Sequence, residues 1–204
     1  MPDVDDRMTS QSPLFAKQAG PLALTAGILF IVAQVIWWTF EQRQNAATAR
    51  DPLHQSASVL YLVGFCVLLF ALIGAHGWQV RESGRFGMFA LIVAILGTML
   101  LGGDLWFETF AVPWLAEGPS PEILKSDPSI LLGLGAISSY LTFAAGWTLF
   151  GIASLRARVF PVAISILIVI GGIAGFSALL APFGIPLGIA IASLGGWMVQ
   201  TGPR

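Results

Sequence analysis

Six stretches of nearly unbroken apolar residues alternate with short polar turns along this chain. They run over about 21–40, 59–75, 86–112, 129–155, 159–180 and 183–200. Most approach the ~20 residues a helix needs to cross a ~30 Å hydrocarbon core. The pattern therefore predicts an all-α integral membrane bundle of six transmembrane helices, residues 21–200, behind a polar tail, residues 1–20. Prolines punctuate it. Pro21 suits a first helical turn, and Pro113 predicts the end of the third span, because a proline pushes the preceding residue out of the α region. Pro119, Pro121 and Pro128 mark an irregular loop, with Asp127-Pro128 as N-cap and first-turn proline before the fourth span. The break at Ala181-Pro182-Phe183-Gly184 reads as a turn between the last two spans, the sixth being only just long enough to cross.

Composition agrees with that pattern. The chain has 204 residues, 56% apolar and 10% charged, against roughly 25% charged in ordinary soluble domains. Mean hydropathy is +0.81. A net charge of −1 offers no basic patch for nucleic acid. The lone Cys66 forms no intrachain disulfide, and its place in an apolar run predicts a small packed residue. The acidic, polar start is unlike a secretory signal, and no lipidation motif stands at either end. The expectation is a chain held in the lipid bilayer by its spans.

Lys and Arg set an orientation. Arg7, Lys17, Arg81, Arg85, Arg156, Arg158 and Arg204 fall on one side of a six-span topology; Arg43, Arg50 and Lys125 fall on the other. The positive-inside rule then places both termini in the cytoplasm. Small residues recur at four-residue spacing, which lets helices approach closely in lipid. Gly184, Gly188, Ala192 and Gly196 form one such stripe and a candidate oligomer contact. Gly171 and Gly175 form a second, and Gly135, Ser138, Thr142 and Ala145 a third.

The candidate chemistry gathers at Gly102–Phe110. Asp104 and Glu108 stand four residues apart, on one face of a helix. A carboxylate inside a membrane span is a functional hypothesis by default. Counted from Phe86, Asp104 lies about 27 Å along the helix, near the outer boundary of the core. Gly102-Gly103 just before it is costly in a helix interior and permits close backbone approach. Glu41 sits at the same level on the first span, with Trp38 near it and Gln34 one to two turns deeper on the same face, and Ser138, Ser139 and Tyr140 enter from the outer half of the fourth. The candidate ligand-binding set is Gln34, Trp38, Glu41, Asp104, Glu108 and Ser138, with Asp104 and Glu108 as candidate acid and base. Trp37–Glu41 and Trp106–Phe110 share composition, a faint sign of two hairpin repeats.

Other chemistries find little purchase. His54 and His76 stand at opposite ends of the second span, about 30 Å apart, so they do not clasp one haem. No metal motif, P-loop, nucleophile elbow or dinucleotide fingerprint occurs, and no cofactor is implied. The second, fifth and sixth spans carry almost no polar groups for a transport path beyond Ser165, Ser177 and Ser193.

Gly74-Ala75-His76-Gly77-Trp78-Gln79 through Gly84-Arg85-Phe86-Gly87, with Gly97 and Gly103, resembles a group of small bacterial polytopic membrane proteins of uncharacterised function. So does Gly146-Trp147-x-x-Phe150-Gly151 leading to Leu155-Arg156-Ala157-Arg158-Val159-Phe160-Pro161. The resemblance spans roughly the second to fifth apolar runs. It implies the bacterial cytoplasmic membrane and supplies no activity. The resulting expectation is a multi-pass membrane protein with an outward-facing acidic and aromatic pocket for a small, lipophilic or cationic ligand. An intramembrane enzyme acting on a lipidic substrate is the alternative, and a cation-coupled transporter the third reading.

Overall fold

The computed structural model describes residues 12–40, 46–119, 122, 124, 126 and 129–202, with side chains from Lys17 onward. Regular structure among these residues is helical throughout. In order come α1 (Ser12–Trp38), α2 (Ala46–Arg50), α3 (Pro52–Trp106), a π-helical turn (Phe107–Ala111), α4 (Val112–Glu117) and α5 (Ile130–Ala157). The chain closes with α6 (Val162–Ala174), a 3-10 turn (Gly175–Ser177) and α7 (Ile185–Thr201). Three helical stretches are long and apolar enough to cross a membrane: Lys17–Trp38, Pro52–Glu117 and Ile130–Ala157. Val162–Ser177 and Ile185–Thr201 are shorter apolar helices.

Helix α3 is a hairpin. Gly84 alone leaves helical geometry, at φ 56° and ψ −149°. A straight helix would separate Phe65 from Gly102 by about 55 Å; instead the Phe65 ring lies 3.8 Å from the Cβ position of Gly102. The polar turn expected over residues 76–85 thus contracts to one glycine between two arms, 52–83 and 85–106. A backbone at positive φ with ψ near −150° is open essentially to glycine alone. No atom lies within 4 Å of a Cβ placed there, so Gly84→Ala tests the backbone alone. We expect a loss of about 1–3 kcal/mol, read as a lowered thermal midpoint in detergent; an unchanged midpoint would show that the turn relaxes.

Glycine contacts trace the arrangement of the helices. Gly64 on the first arm of α3 meets the Phe30 ring of α1, and Gly27 of α1 abuts the α7 backbone at Gly188 and Ala192. Gly171 of α6 meets Leu187 of α7, Gly172 meets Thr148 of α5, and Gly146 of α5 meets Ala94 on the second arm of α3. The sequence of contacts closes a ring of six helical segments. Its centre is aromatic and aliphatic: Trp147, Tyr61, Phe30, Phe65, Phe143 and Phe150 are fully buried there. Trp147 Nε1 donates to Thr98 Oγ1 at 3.1 Å, and the Thr98 hydroxyl donates to the Ala94 carbonyl. The outward faces carry Val32, Phe70, Ile92, Leu141 and Ile170, all exposed.

Several expectations change. Pro21 lies inside α1, which begins upstream at Ser12; an interior proline forfeits one backbone bond, while Ala19 is buried and Gly20 packs against the end of α7. Pro113 sits in the first turn of α4, so the helical rod continues to Glu117. The last two spans are separate, with turns through 178–184 between them. Cys66 is exposed, not packed. The stripe at Gly184, Gly188 and Ala192 is occupied within the chain: Gly184 faces Gln34 and Tyr61, and the other two face α1. Only Gly196 of that set meets open space. On α5 the packing face is Ser139, Phe143, Gly146 and Phe150, while Gly135, Ser138 and Ala145 are exposed. The small-residue stripe therefore misplaces that face by one residue, about 100° of helix rotation.

Candidate functional site

Asp104 and Glu108 lie in the second arm of α3 and the π-helical turn that continues it. Because the rod runs on to Glu117, about 20 Å of helix follows Asp104. Opposite Asp104 stands Ser139, about 14 Å into α5, its hydroxyl beside the Asp104 carboxylate. That hydroxyl also donates to the Gly135 carbonyl at 3.0 Å. Tyr140, the next residue, places its phenol within electrostatic range of both Asp104 and Glu108. Its ring centre lies 6.4 Å from that of Phe176. Asp104 Oδ2 is buried and has no hydrogen-bond partner among the described residues.

The π-helical turn matters to this geometry. An extra residue in one turn rotates the following side chains off the α register, and such turns recur at functional sites. Here it spans Phe107–Ala111 and includes Glu108. The Thr109 hydroxyl returns a bond to the Leu105 carbonyl at 2.7 Å. Trp106, Phe107, Phe110 and Trp114 are exposed around it, with the Trp106 and Phe110 rings 5.6 Å apart.

A small cap lies over this end of the rod. Ala49 of α2 packs with Val112 and Ala116 of α4, joined by Ala46 and Leu124. The Arg50 guanidinium donates to the Ala116 carbonyl, and the Asp51 carboxylate caps α3 by accepting from the Leu53 and His54 amides.

The candidates from α1 part company with this cluster. Gln34 is fully buried, but its amide donates to the Ala178 carbonyl at 2.8 Å and accepts from the Gly184 amide at 3.2 Å. The Tyr61 hydroxyl donates to the same Ala178 carbonyl at 2.8 Å. Gln34 thus ties α1 to the chain break between α6 and α7. Trp38 is 61% exposed, and Glu41 lies outside the described residues. Ser138 is exposed and donates to Gly135 at 2.7 Å, so its neighbour Ser139 holds the position expected of it. Gly102 makes one ordinary contact and Gly103 none, so the glycine pair brings no backbone close. His54 stacks on Trp37 at 5.7 Å and meets Phe40 edge-on at 5.3 Å.

The cluster therefore consists of Asp104, Glu108, Ser139 and Tyr140. Its chemistry is that of a hydrogen-bond acceptor and negative charge set among apolar and aromatic groups. The π-helical turn had no signal in the residue pattern, since only Val112–Glu117 follow it as helix, too few residues to reveal a shift of phase. Comparison with family models, curated proteins and solved structures finds no match to this chain.

Proposed function

We propose that the chain crosses the bacterial cytoplasmic membrane six times, both termini cytoplasmic, and binds a small amphiphilic amine at Asp104 in its outward half. The observation that carries this reading is Asp104 Oδ2, buried with no hydrogen-bond partner among the described residues, in a carboxylate beside Ser139 and within electrostatic range of Tyr140. An unpaired buried acceptor costs about 1–3 kcal/mol, more when charged. An ammonium group supplies the missing donor and the opposite charge, and the exposed aromatic residues at Trp106–Phe110 suit its apolar tail. Six crossings are supported by the closed ring of helical segments with apolar outer faces. They are supported too by the way Gln34 and Tyr61 bind the non-helical backbone at Ala178 and Gly184. Irregular backbone is tolerated in a membrane only when protein or water satisfies it. The aromatic centre leaves the carboxylates at one end of the bundle, which favours a one-sided site over a transport path.

Dodecylamine titrated into the nanodisc-reconstituted chain, with protein-free nanodiscs as blank, tests the reading by calorimetry. Saturable binding is expected, weakened about 10- to 100-fold in Asp104→Asn, because a charge-assisted hydrogen bond is worth about 1.5–3 kcal/mol. Ser138→Ala should bind as the parent does. Absence of saturable binding, or equal affinity in Asp104→Asn, removes Asp104 from the function.

A further inference from the structure

At the opposite end of the bundle, beside Gly84, five side-chain atoms are buried with no hydrogen-bond partner among the described residues. They are both ring nitrogens of His76, both amide atoms of Gln79 and the Ser83 hydroxyl. His76 is 5% exposed and Gln79 fully buried. At positions i, i+3 and i+7 they form one face of the first arm of α3, turned toward the second arm. There the His76 ring comes within 3.6 Å of the Gly87 Cβ position, and Ser83 packs directly on Gly87. Aromatic residues gather at the same end, with Trp78 and Phe160 each 5.8 Å from Trp197.

We infer that His76, Gln79 and Ser83 form a binding site, in the seam between the two arms of α3, for the uncharged headgroup of a hydroxyl-bearing lipid of diacylglycerol type. Three observations select that chemistry. The unpaired atoms include donors and acceptors alike: a neutral imidazole has one of each, the carboxamide has two donors and an acceptor, and a hydroxyl is both. A ligand that satisfies them must both give and accept hydrogen bonds, as a free hydroxyl beside ester carbonyls does. Second, the seam offers an ionic headgroup no counter-charge, because Arg81, Glu82, Arg85, Arg156 and Arg158 all stay at the surface. Arg156 is engaged over the Phe86 ring at 4.9 Å. Finally, the polar stripe extends over about 10 Å of helix, longer than one water bridges. The exposed apolar side chains Val80, Met88 and Phe89 flank the seam and offer a surface for acyl chains. This site shares no residue with the Asp104 cluster, so either assignment stands or falls alone.

The chain has two histidines, His54 and His76, so selective 15N labelling of the imidazoles reports the site directly. The full chain in nanodiscs is titrated with 1,2-dioctanoylglycerol. A saturable shift of the His76 ring signals is expected, with His54 unmoved. Gln79→Leu should melt no lower than the parent without lipid, since it removes two unpaired buried atoms. It should bind the lipid at least about tenfold more weakly, the equivalent of one lost hydrogen bond. Ser83→Ala carries the same comparison should Gln79→Leu not fold. The assignment is overturned by a His76 signal that does not move, which would leave ordered water as the only occupant. It is equally overturned by undiminished affinity in the folded variant, or by equal binding of the 3-O-methyl analogue, which lacks the hydroxyl donor.

Discussion

Gly27→Val is expected to abolish the folded monomer, whereas Gly103→Ala and Gly196→Ala leave it intact. A Cβ at Gly27 would stand 2.5 Å from the Gly188 carbonyl oxygen and 2.7 Å from the Ala192 Cβ. Both neighbours belong to the α7 backbone or lie one bond from it, so no rotamer change relieves the clash. The helices must separate, and with them the contacts that Gly195 makes with Leu24 one turn along the same seam. Overpacking of a close seam costs typically about 1–3 kcal/mol and more where backbone is the obstacle; for valine we expect the upper end or beyond. Gly103 and Gly196 have no atom within 4 Å of their Cβ positions. Alanine there should be neutral or stabilising by up to about 1 kcal/mol, the difference in helix propensity. Fluorescence-detected size exclusion with thermal midpoints reads all three variants. A Gly27→Val protein that elutes and melts as the parent does would disprove the α1–α7 seam.

Gln34→Leu is expected to cost about 1.5–4.5 kcal/mol while leaving amine affinity unchanged per folded molecule. The substitution keeps the volume roughly constant but orphans the Gly184 amide and removes one of two donors to the Ala178 carbonyl. The orphaned Gly184 amide costs about 1–3 kcal/mol and the lost bond to Ala178 about 0.5–1.5 kcal/mol, and both groups belong to irregular backbone that no helix can satisfy. Side-chain hydrogen bonds within membranes average less, which favours the lower part of the range. Denaturation midpoints measure the loss, and the dodecylamine titration measures affinity. If stability holds and affinity collapses, Gln34 belongs to the ligand site and its role as a tie is wrong. Tyr61→Phe, which removes only the second donor, should cost less than Gln34→Leu.

The residue pattern made the apolar helical segments legible as long unbroken runs of apolar side chains, but not all their limits: α1 begins at Ser12 and α3 at Pro52, against 21 and 59 expected. It also located the break at Ala181–Gly184 and the acidic end of the third run. It placed a polar turn over residues 76–85 without showing that Gly84 alone performs it, since Arg81, Glu82 and Ser83 continue the helix as readily as they would a loop. On α5 it failed in phase. Gly135, Ser138 and Ala145 have the spacing of a packing stripe, yet the buried face holds Phe143, Trp147 and Phe150 one step on. In a span apolar all round, periodicity carries no phase, and residue size alone misleads.

What the amino-acid sequence determined by itself was therefore the class of object: helical, apolar on every side, with carboxylates near one end and arginines near the other. These follow from composition along the chain and need no knowledge of neighbours. Tertiary structure decided which polar groups serve the fold and which are left to act. Gln34 and Ser139 are both buried amid apolar surroundings, and nothing in their local sequence distinguishes them. One meets a broken backbone whose carbonyl and amide it satisfies; the other stands beside Asp104, whose Oδ2 has no hydrogen-bond partner among the described residues. A hydrogen bond is a property of two groups, and for Gln34 the partner lies more than a hundred residues away, which is why only the folded chain could assign it.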